Sequence, residues 1–379
     1  MRLGIKWKQF FSKKSFIFFI VFIICSAAAL IFVHFNHSFY ERPIAEVIET
    51  DLIEQEEVVD HHQNEDQLFT QHIKAEVKNG EHKGEYIQLV NRYALSRAFH
   101  QEHTKGDELF VSIDNQQEGN TELTGEITDI KRDKYLVITS VIFVFILFII
   151  GKMQGIFSVV SLVVISVILS FALDIYMNFS SVNLLVVCGV SVILFAVTTL
   201  LFVNGFNEKS YAAIIATLLA TFFSLVITYL VLELTAGEGL RFEEMSLVTD
   251  SQQTIFLAGL LIGSLGAVTD VTITMAVALF KLYEKDPNVS NQTLKDSGYE
   301  IGKDIMGTMT NILFFVYISG SIPMIILYLK NASSLGYTIS MNLSLELARA
   351  FSGGFGIVLA IPLGIYTSIF FVNVKRRKA

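Results

Sequence analysis

The sequence predicts an α-helical polytopic membrane protein of about eight transmembrane helices, with a small extracytoplasmic β domain between helices 1 and 2. Composition is the first reason: of 379 residues, 52% are hydrophobic and 17% charged, against about 25% charged in soluble domains. The mean hydropathy of +0.54 agrees. Charge placement is the second. Residues 36–134 hold 22 of the 36 Asp and Glu and 10 of the 28 Lys and Arg, so the other 280 residues carry few charges. That leaves several uncharged runs of about 20 residues, the length a hydrocarbon core requires. A soluble enzyme, a nucleic-acid binder (net charge −8) and a disulfide scaffold are thereby excluded, with Cys25 and Cys188 both in apolar runs.

The expected spans are 16–35, 135–151, 155–173, 182–203, 211–233, 254–280, 308–329 and 351–374. They must be helices, because an open strand leaves backbone groups unsatisfied in lipid. The second and third are separated only by Gly151-Lys152-Met153-Gln154-Gly155, read as a tight polar hairpin. The first follows the basic residues 1–15. It continues through Leu30-Ile31-Phe32-Val33 beyond Ala27-Ala28-Ala29, so it reads as an uncleaved anchor and not a signal peptide.

Orientation follows from Lys and Arg. With the N-terminus cytoplasmic, the inner segments, including the tail 375–379, carry fifteen. The short outer loops carry only Arg241, Lys330 and Arg349. This asymmetry places both termini inside and residues 36–134 outside. Residues 135–374 then form a seven-helix membrane domain.

Within the outer segment, residues 36–67 read as a solvated acidic stalk, rich in residues such as Glu54, Glu56 and Glu57. Residues 68–130 show short alternating runs, including His72–Val77, Tyr86–Val90, Leu109–Ile113 and Leu123–Ile127. Asn79-Gly80 and Lys105-Gly106-Asp107 stand between them as turns, giving a barrel of four to six strands. Seven of the eight histidines lie in 36–134, but no spacing among them fixes a metal geometry. No metal and no cofactor is expected.

Most acids of the membrane domain lie at span ends. Asp270 does not, and a carboxylate at bilayer depth calls for a partner or a cavity. Gly259, Gly263 and Gly266 precede it at helical spacing, a smooth packing face that Asp270 continues. Its carboxylate is therefore expected to point at another helix. Asp304, Thr308 and Asn311 form a polar stripe at the start of the seventh span. Asp270 with Thr269, Thr272, Thr274, Asp304, Thr308 and Asn311 is the candidate site for a cation, a proton or a small solute; the plainer reading is an interhelical hydrogen-bond clamp. Gly320 with Pro323, and Gly353 to Gly364 with Pro362, suggest interrupted helices.

Catalytic motifs are lacking. Gly298-Tyr-Glu-Ile-Gly302-Lys303-Asp304 is too short between its glycines for a phosphate loop, and there is no His-Glu-x-x-His. The expectation is that the chain is not an enzyme.

The run Gly263-Ser-Leu-Gly-Ala-Val-Thr-Asp270, followed by Leu294-Lys-Asp-Ser-Gly-Tyr-Glu-Ile-Gly302-Lys-Asp304-Ile-Met-Gly-Thr-Met-Thr-Asn311, resembles the YibE/F family of bacterial membrane proteins. Gly80-Glu-His-Lys-Gly84, Val90-Asn91 and Lys105-Gly106-Asp107 are similar to that family's outer domain. The resemblance implies this architecture in a bacterial plasma membrane and brings no activity with it. Two functions are carried forward: a permease-like protein using Asp270, and a scaffold or assembly factor acting through the β domain and the inner loop 281–304. The lipid bilayer is the expected surrounding. Homo-oligomerisation through the Gly259/Gly263/Gly266 face, or pairing with a related membrane protein, is the expected association.

Overall fold

The computed structural model describes residues 13–97, 100–114, 123–179, 182–245 and 251–378. Residues 1–12, most of the expected basic N-terminus, lie outside the described residues. Among those described, seven helices are long and apolar enough to cross a membrane, where eight were expected. The chain divides into two compact units, residues 1–153 and 154–379.

The first unit opens with α1 (Lys13–Phe35) and a short 3-10 turn (Asn36–Phe39). Five strands follow: β1 (Ile44–Val59), β2 (Glu65–Val77), β3 (Tyr86–Ala94), β4 (Glu108–Ile113) and β5 (Leu123–Ile130). They close into a barrel in the order β1-β2-β3-β5-β4, with β3 and β5 parallel and the other pairs antiparallel. This is a five-stranded Greek-key barrel of the OB type. Alternate residues fill it: Ile44, Ile73, Ala75, Val77, Ile87 and Leu109 are fully buried. Gly125 sits where β5 leaves β3 to pair with β4; a β-carbon there would stand 2.2 Å from the Ser112 carbonyl oxygen, so only glycine permits this approach.

The acidic segment is not a stalk. Residues 44–59 are β1, paired with β2 as far as Val59–Glu65. Beyond Asp51 the two strands leave the barrel core as a largely exposed ribbon, so the acids stay solvated while one edge of β1 is hydrogen-bonded to β2.

The next element, α2 (Asp133–Asn178), covers the expected second and third spans as two helices joined across a kink at Lys152. The expected hairpin loop is reduced to one residue, Lys152, with φ 51° and ψ −127°. Its flanks keep helical backbone bonding, which costs less in an apolar setting than a five-residue loop. The first half of α2 packs on α1 through Phe19–Phe148 and Phe22–Phe145 ring stacks.

The second unit holds the rest of α2 with α3 (Leu184–Asn204), α4 (Glu208–Thr235), α5 (Gln252–Lys285), α6 (Asn291–Lys330) and α7 (Leu335–Lys378). The side chains of Asn183, Asn207, Ser251 and Ser290 cap the starts of α3 to α6, each accepting from a backbone N–H two or three residues on. The expected interruptions do not occur: α6 and α7 run through Pro323 and Pro362 as continuous helices. Their glycines serve close packing. β-carbons on Gly298, Gly302 and Gly353 would overlap Ile365, Ile361 and Leu313 across the α6–α7 contact.

Candidate functional site

α5 is the central element of the second unit. Leu261 and Leu265 pack with Val192 and Phe195 of α3. Thr272 Oγ1 lies 2.6 Å from Thr217 Oγ1 of α4. Val268 and Met275 meet Gly356 and Gly364 of α7. One face of α5 is left over. Gly259, Gly263, Gly266, Asp270 and Thr274 are all exposed and follow one another at helical spacing.

This face meets α6 at Gly263, where a β-carbon would stand 2.5 Å from Tyr317 Oη; at Gly259 and Gly266 a β-carbon would meet nothing within 4 Å. Of the three expected packing glycines, one packs. α5 and α6 are joined by a five-residue connection, 286–290, and run antiparallel. Seven residues from the Gly263–Tyr317 contact, about 10 Å along either axis, Asp270 is therefore level with Thr310 and Asn311. On α6, Asp304, Gly307, Thr308 and Asn311 are exposed together.

Among the described residues, the Asp270 carboxylate has no hydrogen-bond or ion-pair partner; Thr274 Oγ1 donates to the Asp270 backbone carbonyl at 2.7 Å. No hydrogen bond joins Asp270 to Asp304, Thr308 or Asn311 among these residues. The carboxylate thus faces an open surface, and not the neighbouring helix expected of it.

Thr269 and Thr272 leave the candidate site. Both are buried away from the Asp270 face, Thr269 donating to Leu265 O at 2.7 Å and Thr272 to Thr269 O at 3.0 Å. At about 100° per residue, positions one before and two after an aspartate lie about 100° and 200° away from it. Thr274 returns to within about 40°, and stays.

A feature the sequence reading missed runs through the bundle. Thr217, Thr221, Ser224 and Thr228 of α4 form a buried hydroxyl row. Ser224 Oγ donates to Ser352 O at 2.6 Å, and Thr228 Oγ1 lies 2.5 Å from Ser352 Oγ on α7. Their spacing of four, three and four residues is the signal that marks them as one face.

In the first unit, a polar cluster ties the barrel to the helix ends. Lys131 is 4% exposed. Its Nζ donates to Glu108 at 2.5 Å and Val33 O at 3.1 Å, and lies 3.2 Å from Asp133. His37 Nε2 meets Glu108 at 2.8 Å, and Asn36 and Tyr40 donate to Asp133 at 2.9 and 3.0 Å. Burial opposes the Glu108 charge, but hydrogen bonds from Lys131 and His37 outweigh it and hold the carboxyl below its ordinary range. Burial likewise opposes the Lys131 charge, and its bonds to Glu108 and Asp133 raise the amine above its ordinary value. Asn79 completes the anchor, its amide donating to the carbonyls of His37, Tyr40 and Arg42 while its oxygen accepts from Ile44 N.

No match was found among curated proteins or among solved structures. Two family models do match: the YibE/F family N-terminal domain over residues 38–130, which takes in the five strands, and YibE/F-like protein over residues 139–374. The barrel domain and the helices that follow it thus answer to the two parts of one family, and the chain belongs to the YibE/F-like proteins.

Proposed function

We propose that the protein is a permease of the bacterial plasma membrane in which Asp270 binds or relays a cation or a proton. One observation carries the reading: a carboxylate at the middle of α5, without a partner among the described residues, on a face whose glycines leave space. An ionised group exposed to hydrocarbon at that depth costs about 3 kcal/mol on insertion scales. A solvated path along the Gly259–Thr274 face removes that cost, and Asp304, Thr308 and Asn311 would extend the path along α6. In this reading the chain crosses the bilayer with both termini inside and the barrel outside, supported by the fifteen-to-three distribution of Lys and Arg. The reading involves no enzymatic step.

The test is ion flux in proteoliposomes, with protons and common cations screened for wild type beside Asp270→Asn. The reading expects flux that disappears in the variant while its melting temperature holds. Equal flux from the two proteins would overturn the role of Asp270.

A second reading, a scaffold or assembly factor, is favoured by the exposed Leu52, Ile53 and Val59 on the β1–β2 ribbon, apolar side chains with nothing of their own to cover. A scaffold tolerates Asp270→Asn and fails when the ribbon beyond Asp51 is shortened; a permease does the reverse.

A further inference from the structure

The base of the barrel holds a cavity of about 910 Å³. Both helix ends of the first unit contribute to its wall: His34 and Phe35 from the last turn of α1, Lys134 and Tyr135 from the first turn of α2. The turn after β2, with Lys83, and the entry to β4 contribute as well, beside residues of the 3-10 turn, β1 and the end of β5. If α1 and α2 cross the bilayer, as proposed above, the cavity stands at the depth of the lipid headgroups. That step needs the spans and is independent of any role for Asp270. Phe35, Phe39, Tyr135 and Leu136 around it are 62–75% exposed, a rim of large apolar side chains of the kind found at a membrane interface.

The charges lining the cavity sort into two groups. Lys78 is paired with Glu46 and Glu76 at 2.8 and 2.9 Å, and Lys131 with Glu108 and Asp133. Asp107 accepts from Thr104 N at 2.8 Å. Lys83 and Lys134 have no carboxylate partner among the described residues. The cavity therefore offers two uncommitted ammonium groups, in a segment (36–134) where acids outnumber bases by 22 to 10. Lys83 and Lys134 thus line one cavity beside an apolar rim. Ammonium groups on flexible stems suit a phosphate oxygen, and the rim suits the start of an acyl chain.

We propose that this cavity binds the headgroup of an anionic phospholipid, with Lys83 and Lys134 taking its phosphate. The lipid would then brace the barrel against the helix ends at the point where the Lys131 cluster already joins them.

The experiment titrates dioleoyl phosphatidylglycerol, dioleoyl phosphatidylcholine and glycerol 1-phosphate separately into the full-length protein in a neutral detergent, with bound ligand counted by native mass spectrometry. Phosphatidylglycerol is expected to bind more tightly than phosphatidylcholine. Lys83→Gln with Lys134→Gln should lower that affinity about thirtyfold, each lysine near a headgroup being worth about fivefold. Both side chains are outside the paired cluster, so the melting temperature should hold; if the double variant unfolds, each single variant should still lose about fivefold. Equal affinity for the two lipids, or unchanged affinity in the variants, would overturn the proposal. Glycerol 1-phosphate binding as tightly as phosphatidylglycerol would assign the site to a soluble phosphate instead and overturn the lipid. Asp270→Asn should leave lipid binding unchanged. Carbonate extraction of native membranes reports separately whether the helices are inserted.

Discussion

Gly263 of α5 and Tyr317 of α6 meet so closely that a β-carbon on Gly263 would stand 2.5 Å from the Tyr317 hydroxyl oxygen. This is the one glycine of the Asp270 face against which α6 is seated. Alanine for glycine inside a helix is intrinsically favourable by about 1 kcal/mol. Here the phenol must swing away, and that gain should be offset. Gly263→Ala alone is expected to be neutral or slightly destabilising, and to become stabilising by about 0.5–1 kcal/mol when combined with Tyr317→Phe. Thermal unfolding of the four proteins in one detergent gives the coupling; strict additivity would mean that the two residues do not touch.

The α6–α7 contact makes a sharper contrast. A β-carbon on Gly302 would stand 2.4 Å from Ile361 Cγ2, and one on Gly353 would stand 2.2 Å from Leu313 Cδ2, whereas Gly307 has open space. Gly302→Ala and Gly353→Ala should each destabilise by about 1–3 kcal/mol through overpacking. Gly307→Ala should be tolerated. Unfolding midpoints rank the three, and equal midpoints would remove the close packing from the account.

The Lys131 cluster predicts a pH dependence. Glu108 is held below its ordinary range, so the folded state binds its proton less readily than the unfolded chain does. Its contribution is then complete above the ordinary carboxylate range and is lost as pH falls through and below it. Lys131→Met should cost on the order of 3 kcal/mol at neutral pH, because it leaves Glu108 and Asp133 partly buried without their cation. The variant should also lose less stability than wild type between pH 6 and pH 4. Parallel acid titrations of the two would refute this.

What the sequence discloses and what it hides separate along one line. Periodicities within a single element are legible. Apolar runs mark the helices, Asn79-Gly80 and Lys105-Gly106-Asp107 mark turns of the barrel, and the 3.6-residue period puts Gly259, Gly263, Gly266, Asp270 and Thr274 on one face. The same arithmetic sets Thr269 and Thr272 apart from Asp270. Pairings between distant elements are a different matter. β1 looked like a stalk because its acids obscure a strand that is specified by its partner β2. Nothing in the order of residues says that Ser352 receives Ser224 and Thr228, or that the Asp270 face is left open. Lys152 lies between these cases. Its neighbours announced a break, but its depth, one residue instead of five, depends on how much helix the flanks retain.

That break also decides the number of crossings in a chain that spans the bilayer as proposed. If α2 turns at Lys152, the seven helices make eight crossings, and Lys152 and the C-terminus share the side of the N-terminus. If α2 continues as one crossing, the C-terminus falls on the opposite side. The single cationic side chain of the Gly151–Gly155 segment favours the turn, because a lysine between two apolar stretches is drawn to the inner surface. In a background with Cys25 and Cys188 replaced by serine, Lys152→Cys, Asp286→Cys and Lys375→Cys should react with an impermeant maleimide only after the membrane is opened. Glu57→Cys, on the exposed ribbon, should react in intact cells. Labelling of Lys375→Cys from outside, with Glu57→Cys also labelled from outside, would instead establish seven crossings.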